Sequence, residues 1–162
     1  MLQLFLVLHV LGAIFVFGPT VAFTFLASET RRMPAHGHFA AVVGDAIERK
    51  VVLPGAVVQG ITGVALIFLA GFDLTQPSSR WLIGGIVLYA AAIVFAFAIQ
   101  APNAAKLVEL TKTPPAAPQP GQTPAGPPPE IAALGRRLAR GGMLLTLLIV
   151  LIVILMVLKP GV

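Results

Sequence analysis

The sequence predicts an all-α protein: a bundle of four transmembrane helices, both termini outside, with a cytoplasmic proline-rich linker between helices three and four. Three observations carry that expectation. The residues are 57% hydrophobic and only 10% charged, whereas about 25% of residues in soluble domains are charged. Four apolar stretches, at about 4–27, 51–71, 81–101 and 141–158, are long enough to cross a bilayer. The lysines and arginines crowd into alternate loops, which sets an orientation. The chain, 1–162, reads as a single integral membrane domain.

The first span, Leu4 to Ala27, reads LFLVLHVLGAIFVFGPTVAFTFLA, and its polar residues are His9, Thr20 and Thr24. As a helix it reaches about 36 Å. It lacks a basic leader and exceeds the roughly 7–15 residue core of a signal peptide, so a retained span is expected. A polar stretch from Ser28 to Lys50 follows, with Arg31, Arg32, Arg49 and Lys50. It suits either a short interfacial helix or an extension of the next span. Asp45 with Glu48 places a helix start near Ala46. The second span then contains Pro54, which predicts a kink.

After the turn FDLTQPSSR, the third span opens on Arg80 and Trp81, an interfacial anchor pair. It is expected to run past Pro102 into NAAKLVEL. Residues 113–129 hold eight prolines in seventeen positions and read as an extended or disordered linker. A basic helix, EIAALGRRLARGG, leads into the fourth span, and Lys159 follows it.

Arg31, Arg32, Arg49 and Lys50 mark the first loop. Lys106, Lys112, Arg136, Arg137 and Arg140 mark the third. Arg80 alone stands in the second loop and Lys159 alone in the C-terminal tail, so the division is nine against two. The positive-inside rule places the first and third loops in the cytoplasm and both termini outside. The net charge of +5 is thus spread among loops, with no basic stripe carrying interleaved aromatics, and nucleic-acid binding is not expected. The absence of cysteine excludes disulfides, thiolate metal sites and thiol nucleophiles.

His9 is the candidate that stands out, because ionisable residues inside a span are functional candidates by default. It lies about 8 Å below the outer end of its helix. Its face continues through Ala13, Val16, Thr20 and Ala27, with Gly12 at the edge, small enough for close packing or for a flat macrocycle. The plain reading is a neutral histidine hydrogen-bonded to a neighbouring backbone carbonyl. The sharper ones are a haem b or chlorin ligand and a proton relay. Met156 falls at about the same depth and would complete a His/Met haem pair. His36 and His38 lie about 30 Å away across the hydrocarbon core and cannot share a haem with His9. Their His-Gly-His spacing suits either solvated interfacial histidines or a weak surface metal site.

Gln59, Thr62 and Tyr89 fall near the midplane and suit interhelical hydrogen bonds. Gly55, Gly60, Gly63, Gly84 and Gly85, like Gly12, suit close packing. The spans contain no carboxylate, no convergent Ser-His-Asp set and no phosphate-cradling loop.

Three fragments, LHVLGAIFVFG, PGAVVQGITGVALIF and ILMVLKPG, resemble a family of predicted bacterial integral membrane proteins known as domain of unknown function number 2269. More distantly, the pattern is similar to the copper-resistance D-type domain and to the haem-associated membrane protoporphyrinogen oxidase. From the oxidase pattern His9 and the closing Lys159-Pro160 carry over, while Phe15-Val16-Phe17-Gly18 replaces its tryptophan and paired glycines. Fold carries over by such analogy and chemistry does not.

The expectation is therefore a small polytopic protein of the bacterial inner membrane. Its role would be a non-catalytic accessory or structural subunit of a larger electron-transfer or photosynthetic complex. It would carry no cofactor of its own, and its partners would be the lipid bilayer and other integral membrane subunits. The alternative is a b-haem-binding protein or haem-related oxidoreductase using His9. A third, a small-solute transporter, lacks both intramembrane charge and an inverted repeat.

Overall fold

The protein is described by a computed structural model over residues 1–113 and 126–161, and among these residues every regular element is helical. The expected linker at 113–129 falls mostly on residues 114–125, which lie outside the described residues. Four helical rods are long and apolar enough to cross a membrane, with 29, 36, 35 and 30 residues. Each exceeds the roughly 20 residues that a crossing needs, so charged ends extend beyond the apolar parts.

The first rod is α1 (Leu2–Arg32), continuous through Pro19. Next to that proline the buried Thr20 hydroxyl donates to the Val16 carbonyl at 2.9 Å, one of the local adjustments that let membrane helices carry proline. The helix stops at Met33, whose φ of −126° and ψ of 69° are non-helical. Pro34 disfavours a helical conformation in the residue before it. A single 3-10 turn at Pro34–His36 then opens the second rod, made of α2 (Gly37–Ile47), a π-helical turn at Glu48–Val52 and α3 (Leu53–Leu69). The polar stretch before the second span is thus an extension of that span, and its helix begins at Gly37 instead of near Ala46. Asp45 is not a cap here, because its carboxylate holds the Arg49 side chain at 2.9 and 3.1 Å.

The third rod repeats this order of elements, with its longer helix first. A 3-10 turn at Pro77–Ser79 leads into α4 (Arg80–Phe95), a π turn at Ala96–Gln100 and α5 (Ala101–Thr111). Both π turns stand just before a proline, Pro54 or Pro102. A proline ring clashes with the carbonyl four residues earlier. Here that carbonyl belongs to Lys50 or Ala98, each inside a π turn, and the wider turn gives it room. The fourth rod is α6 (Pro129–Leu158), in which the basic stretch and the apolar span form one helix.

The connection between the second and third rods is tightly specified. Gly71 adopts φ +68°, and the Phe72 and Gly71 amides donate to the Ile67 and Phe68 carbonyls at 3.0 and 3.2 Å. This is a Schellman close, which a glycine makes without a Cβ penalty. Asp73 then accepts from the Thr75 hydroxyl at 2.7 Å, the Thr75 amide at 2.9 Å and Gln76 at 3.3 Å. Those bonds, the Thr75 hydroxyl foremost, hold the exposed Asp73 carboxyl below its usual range.

α1 packs on α3 and α4 packs on α6, giving two helical hairpins. They are joined by α1 against α6 and, at one end of the bundle, by α2 against α5. The interior is thin. Its buried apolar residues include Val16, Ala56, Leu82 and Ile152, but Thr20, Glu48, Gln59, Thr62 and Ser79 are buried too. Large apolar side chains such as Phe15, Phe25, Phe68 and Val157 point outward. With lipid outside, burying an apolar side chain gains little, and polar groups have most to gain by facing each other.

Candidate functional site

The inward face of α3 meets α1 at a compact polar cluster. Thr62 and Gln59 approach the two nitrogens of His9: Thr62 Oγ1 lies 3.0 Å from Nδ1 and Gln59 Nε2 lies 3.2 Å from Nε2. The Thr62 hydroxyl also reaches the Gln59 and Val58 carbonyls at 3.0 and 3.1 Å. One consistent arrangement has Gln59 donating to Nε2 while the Nδ1–H donates to Thr62, whose proton goes to the backbone. Turning the amide reverses the roles and still occupies both ring nitrogens. The partners of His9 are therefore side chains of α3, whereas the plain reading of the sequence has a backbone carbonyl.

Glycines make the space. A Cβ at Gly63 would stand 3.1 Å from His9 Cε1, and one at Gly12 would fall on the side-chain amide oxygen of Gln59, Oε1. That oxygen is buried and has no hydrogen-bond partner among the described residues. Gly55 faces Val16 in the same interface, and a Cβ there would approach it to 2.9 Å.

Met156 occupies a different interface. Its methyl group lies over Gly85 of α4, while Leu155 lies over Gly84. His9 thus engages α3, and Met156 engages α4. A haem iron would need Nε2 of His9, which Gln59 already holds. With both ring nitrogens already held, the fit to a haem is poor.

Tyr89 bridges α4 to α3 by donating to the Ala56 carbonyl, with its ring against Gly60. Beside it a shallow apolar groove of about 400 Å³, lined by Val57, Gly60, Ile61, Val64, Tyr89 and Ile93, separates the two helices.

At the opposite end from the α2–α5 contact, Trp81 is turned inward, 5% exposed, next to Arg80 at the start of α4. Phe72 meets it edge-on at 5.6 Å and Lys159 Nζ lies 5.6 Å from the ring centroid. Lys159 reaches that place from a left-handed conformation (φ 43°) that closes α6 before Pro160. Of the other basic residues, Arg31 and Arg32 end α1, Lys50 sits in the first π turn, and Arg32 pairs with Glu29 at 3.1 Å. Arg136, Arg137 and Arg140 line one wall of a cleft between the third and fourth rods.

Sequence reasoning read Glu48 only as the partner of Asp45 in a helix start. It lies beside Arg49 and Lys50, outside the apolar crossing that starts at Val51, yet it is 7% exposed. Burial, and then the charge of Asp45, push its carboxyl up to about 7, with Arg49 offsetting only in part. Arg49 pairs with Asp45 at 2.9 Å, and Glu48 itself makes no ion pair among the described residues. The available signal was helical phase, since Glu48 shares a helix face with Gln59 and Thr62. His38 meets Thr111 at 3.1 Å and ties α2 to α5. Among the described residues, no three His, Asp or Glu side chains gather as metal ligands.

The family model for a predicted integral membrane protein, DUF2269, matches residues 3–160. The chain belongs to that family. Within this DUF2269 protein the match takes in every rod described above. No curated protein and no solved structure gives a match.

Proposed function

We propose that this protein is a non-catalytic accessory subunit of a larger complex in the bacterial inner membrane, of the electron-transfer or photosynthetic kind. The observation that carries the reading is that His9 spends both ring nitrogens on Gln59 and Thr62. The inner polar cluster braces two helices and leaves no nitrogen free for a ligand. The apolar groove beside Tyr89 supports the same reading, because it offers a transmembrane helix of another subunit a seat between α3 and α4. No cofactor of its own is part of this role.

The orientation proposed with it has both termini outside and the linker in the cytoplasm, as the nine-to-two distribution of Lys and Arg favours. Impermeant thiol labelling of intact cells should modify a Ser78→Cys variant and spare a Gln119→Cys variant until the membrane is opened. The reverse pattern would overturn the orientation.

The test of the role is extraction of native membranes in mild detergent. The protein should co-purify in stoichiometric amount with a larger complex and, once separated, show no visible absorption. Isolation alone as a stable and active protein, or a Soret band lost in His9→Asn, would overturn it.

A further inference from the structure

A second site stands apart from the His9 cluster, where the charged ends of the third and fourth rods diverge. An open cleft of about 960 Å³ lies between them. On the α6 wall Arg136, Arg137 and Arg140 come first, followed deeper by Leu144; on the facing wall Lys106 comes first, followed by Ile99 and Phe95. Both walls thus grade from charged to apolar in the same direction. Arg137 and Leu144 are about 10 Å apart along the helix, close to the distance from a lipid phosphate to the upper part of its chains.

The charges do not cancel within the cleft. Glu130 is the carboxylate in its lining, and Lys106 holds it at 2.9 Å. Arg136, Arg137 and Arg140 are exposed and pair with no carboxylate among the described residues. The adjoining segment 113–129 contains no Asp or Glu, so it brings no countercharge. The floor is held in place by Gln100, whose Nε2 donates to the Leu138 carbonyl at 3.1 Å, and by Gly141, which lets Phe95 and Gln100 approach α6.

We propose that this cleft binds an anionic phospholipid. The guanidinium groups of Arg136, Arg137 and Arg140 take the phosphodiester, for which their planar donor pairs are suited. Phe95, Ile99 and Leu144 take the upper part of an acyl chain. Basic pockets between membrane helices are a recurring way to hold such headgroups. An acidic peptide would satisfy the arginines but leave the apolar floor without a partner, which favours the lipid. This proposal does not depend on the accessory role.

The experiment is a lipid titration of the delipidated full chain in detergent, read by native mass spectrometry. The probes are dioleoyl phosphatidylglycerol, tetraoleoyl cardiolipin and dioleoyl phosphatidylcholine. The two anionic lipids should bind at least tenfold more tightly than phosphatidylcholine. Arg136→Gln, Arg137→Gln and Arg140→Gln should each weaken them about fivefold, and the three together on the order of a hundredfold. Arg80→Gln, at the other end of the bundle, should change nothing. Should the triple variant fail to insert, the single Arg137→Gln and Arg140→Gln variants carry the measurement, each checked for unchanged helicity and elution. Equal binding of phosphatidylcholine, or unchanged affinity in the glutamine variants, overturns the proposal. Displacement of lipid by millimolar inorganic phosphate would assign the site to a free anion. Loss of an acidic partner protein from the variants, with lipid binding intact, would assign it to a protein.

Discussion

The His9 cluster and the arginine cleft are both polar features of an apolar bundle, yet they solve opposite problems. At His9 each ring nitrogen has a partner within 3.2 Å, and glycines on both helices close the space around it. In the cleft three guanidinium groups face an open volume and pair with no carboxylate among the described residues. The contrast follows from depth. A polar group inside the hydrocarbon must be matched by the protein, because lipid tails offer it nothing. A charge near the headgroups can leave its matching to the surroundings. Internal matching marks a structural brace, and unmatched charge marks a surface meant for something else.

The strongest way to break this comparison is to fill the space beside His9. Gly63→Leu would push bulk into a position where even a Cβ stands 3.1 Å from the imidazole. Overpacking of this kind costs about 1–3 kcal/mol, and thermal unfolding in detergent should fall accordingly. A neutral outcome would mean that α1 and α3 are not held together there.

Next in size is His9→Asn. It removes hydrogen bonds between helices that are worth about 0.6 kcal/mol each on average, so the loss should be about 1 kcal/mol with the visible spectrum unchanged. A loss several times larger would mark His9 as more than a brace.

Glu48 lies between the two cases, a buried acid at the edge of the crossing. Its carboxyl is raised from 4.5 to about 7 by burial. The folded protein therefore holds that proton more tightly than the unfolded chain does. Its contribution is fully present below about pH 4.5 and is lost as pH rises through about 7. Glu48→Gln should flatten the stability profile across that window and make the protein relatively more stable above it. Unfolding midpoints measured from pH 4 to pH 8 for both proteins check this; parallel curves would refute it.

The smallest effect is expected in the cleft. In lipid-free detergent Arg137→Gln should alter stability by less than about 0.5 kcal/mol, as exposed substitutions usually do. A larger loss would make the arginines part of the fold and erase the contrast.

Much of the architecture was legible in the sequence because hydropathy reports the solvent of each segment directly. The four apolar stretches became four rods, and Gly71 ended the second where the apolar run stops. The rod ends were harder to read. Asp45 resembled a cap but serves Arg49, and the helix starts at Gly37 because Pro34 breaks the chain before it. Pro54 signalled a kink, and the structure answers with a π turn upstream of it, as it does again before Pro102. Gln59 and Thr62 were visible as midplane polar residues, but nothing in the pattern paired them with His9. That pairing depends on the rotation and offset of α1 against α3. Trp81 illustrates the same limit: its neighbour Arg80 suggested an interfacial anchor, while Phe72 from the preceding turn and Lys159, distant in sequence, enclose it.

The sequence by itself determined that this chain is a four-helix membrane protein, since composition and span length follow from the transfer of side chains between water and lipid and need no knowledge of packing. The tertiary structure alone decided which polar groups meet: His9 with Gln59 and Thr62, Glu48 in a buried position, and three arginines with an open cleft. A helix presents its residues in every direction around its axis, and only the placement of its neighbours selects which of them become interior.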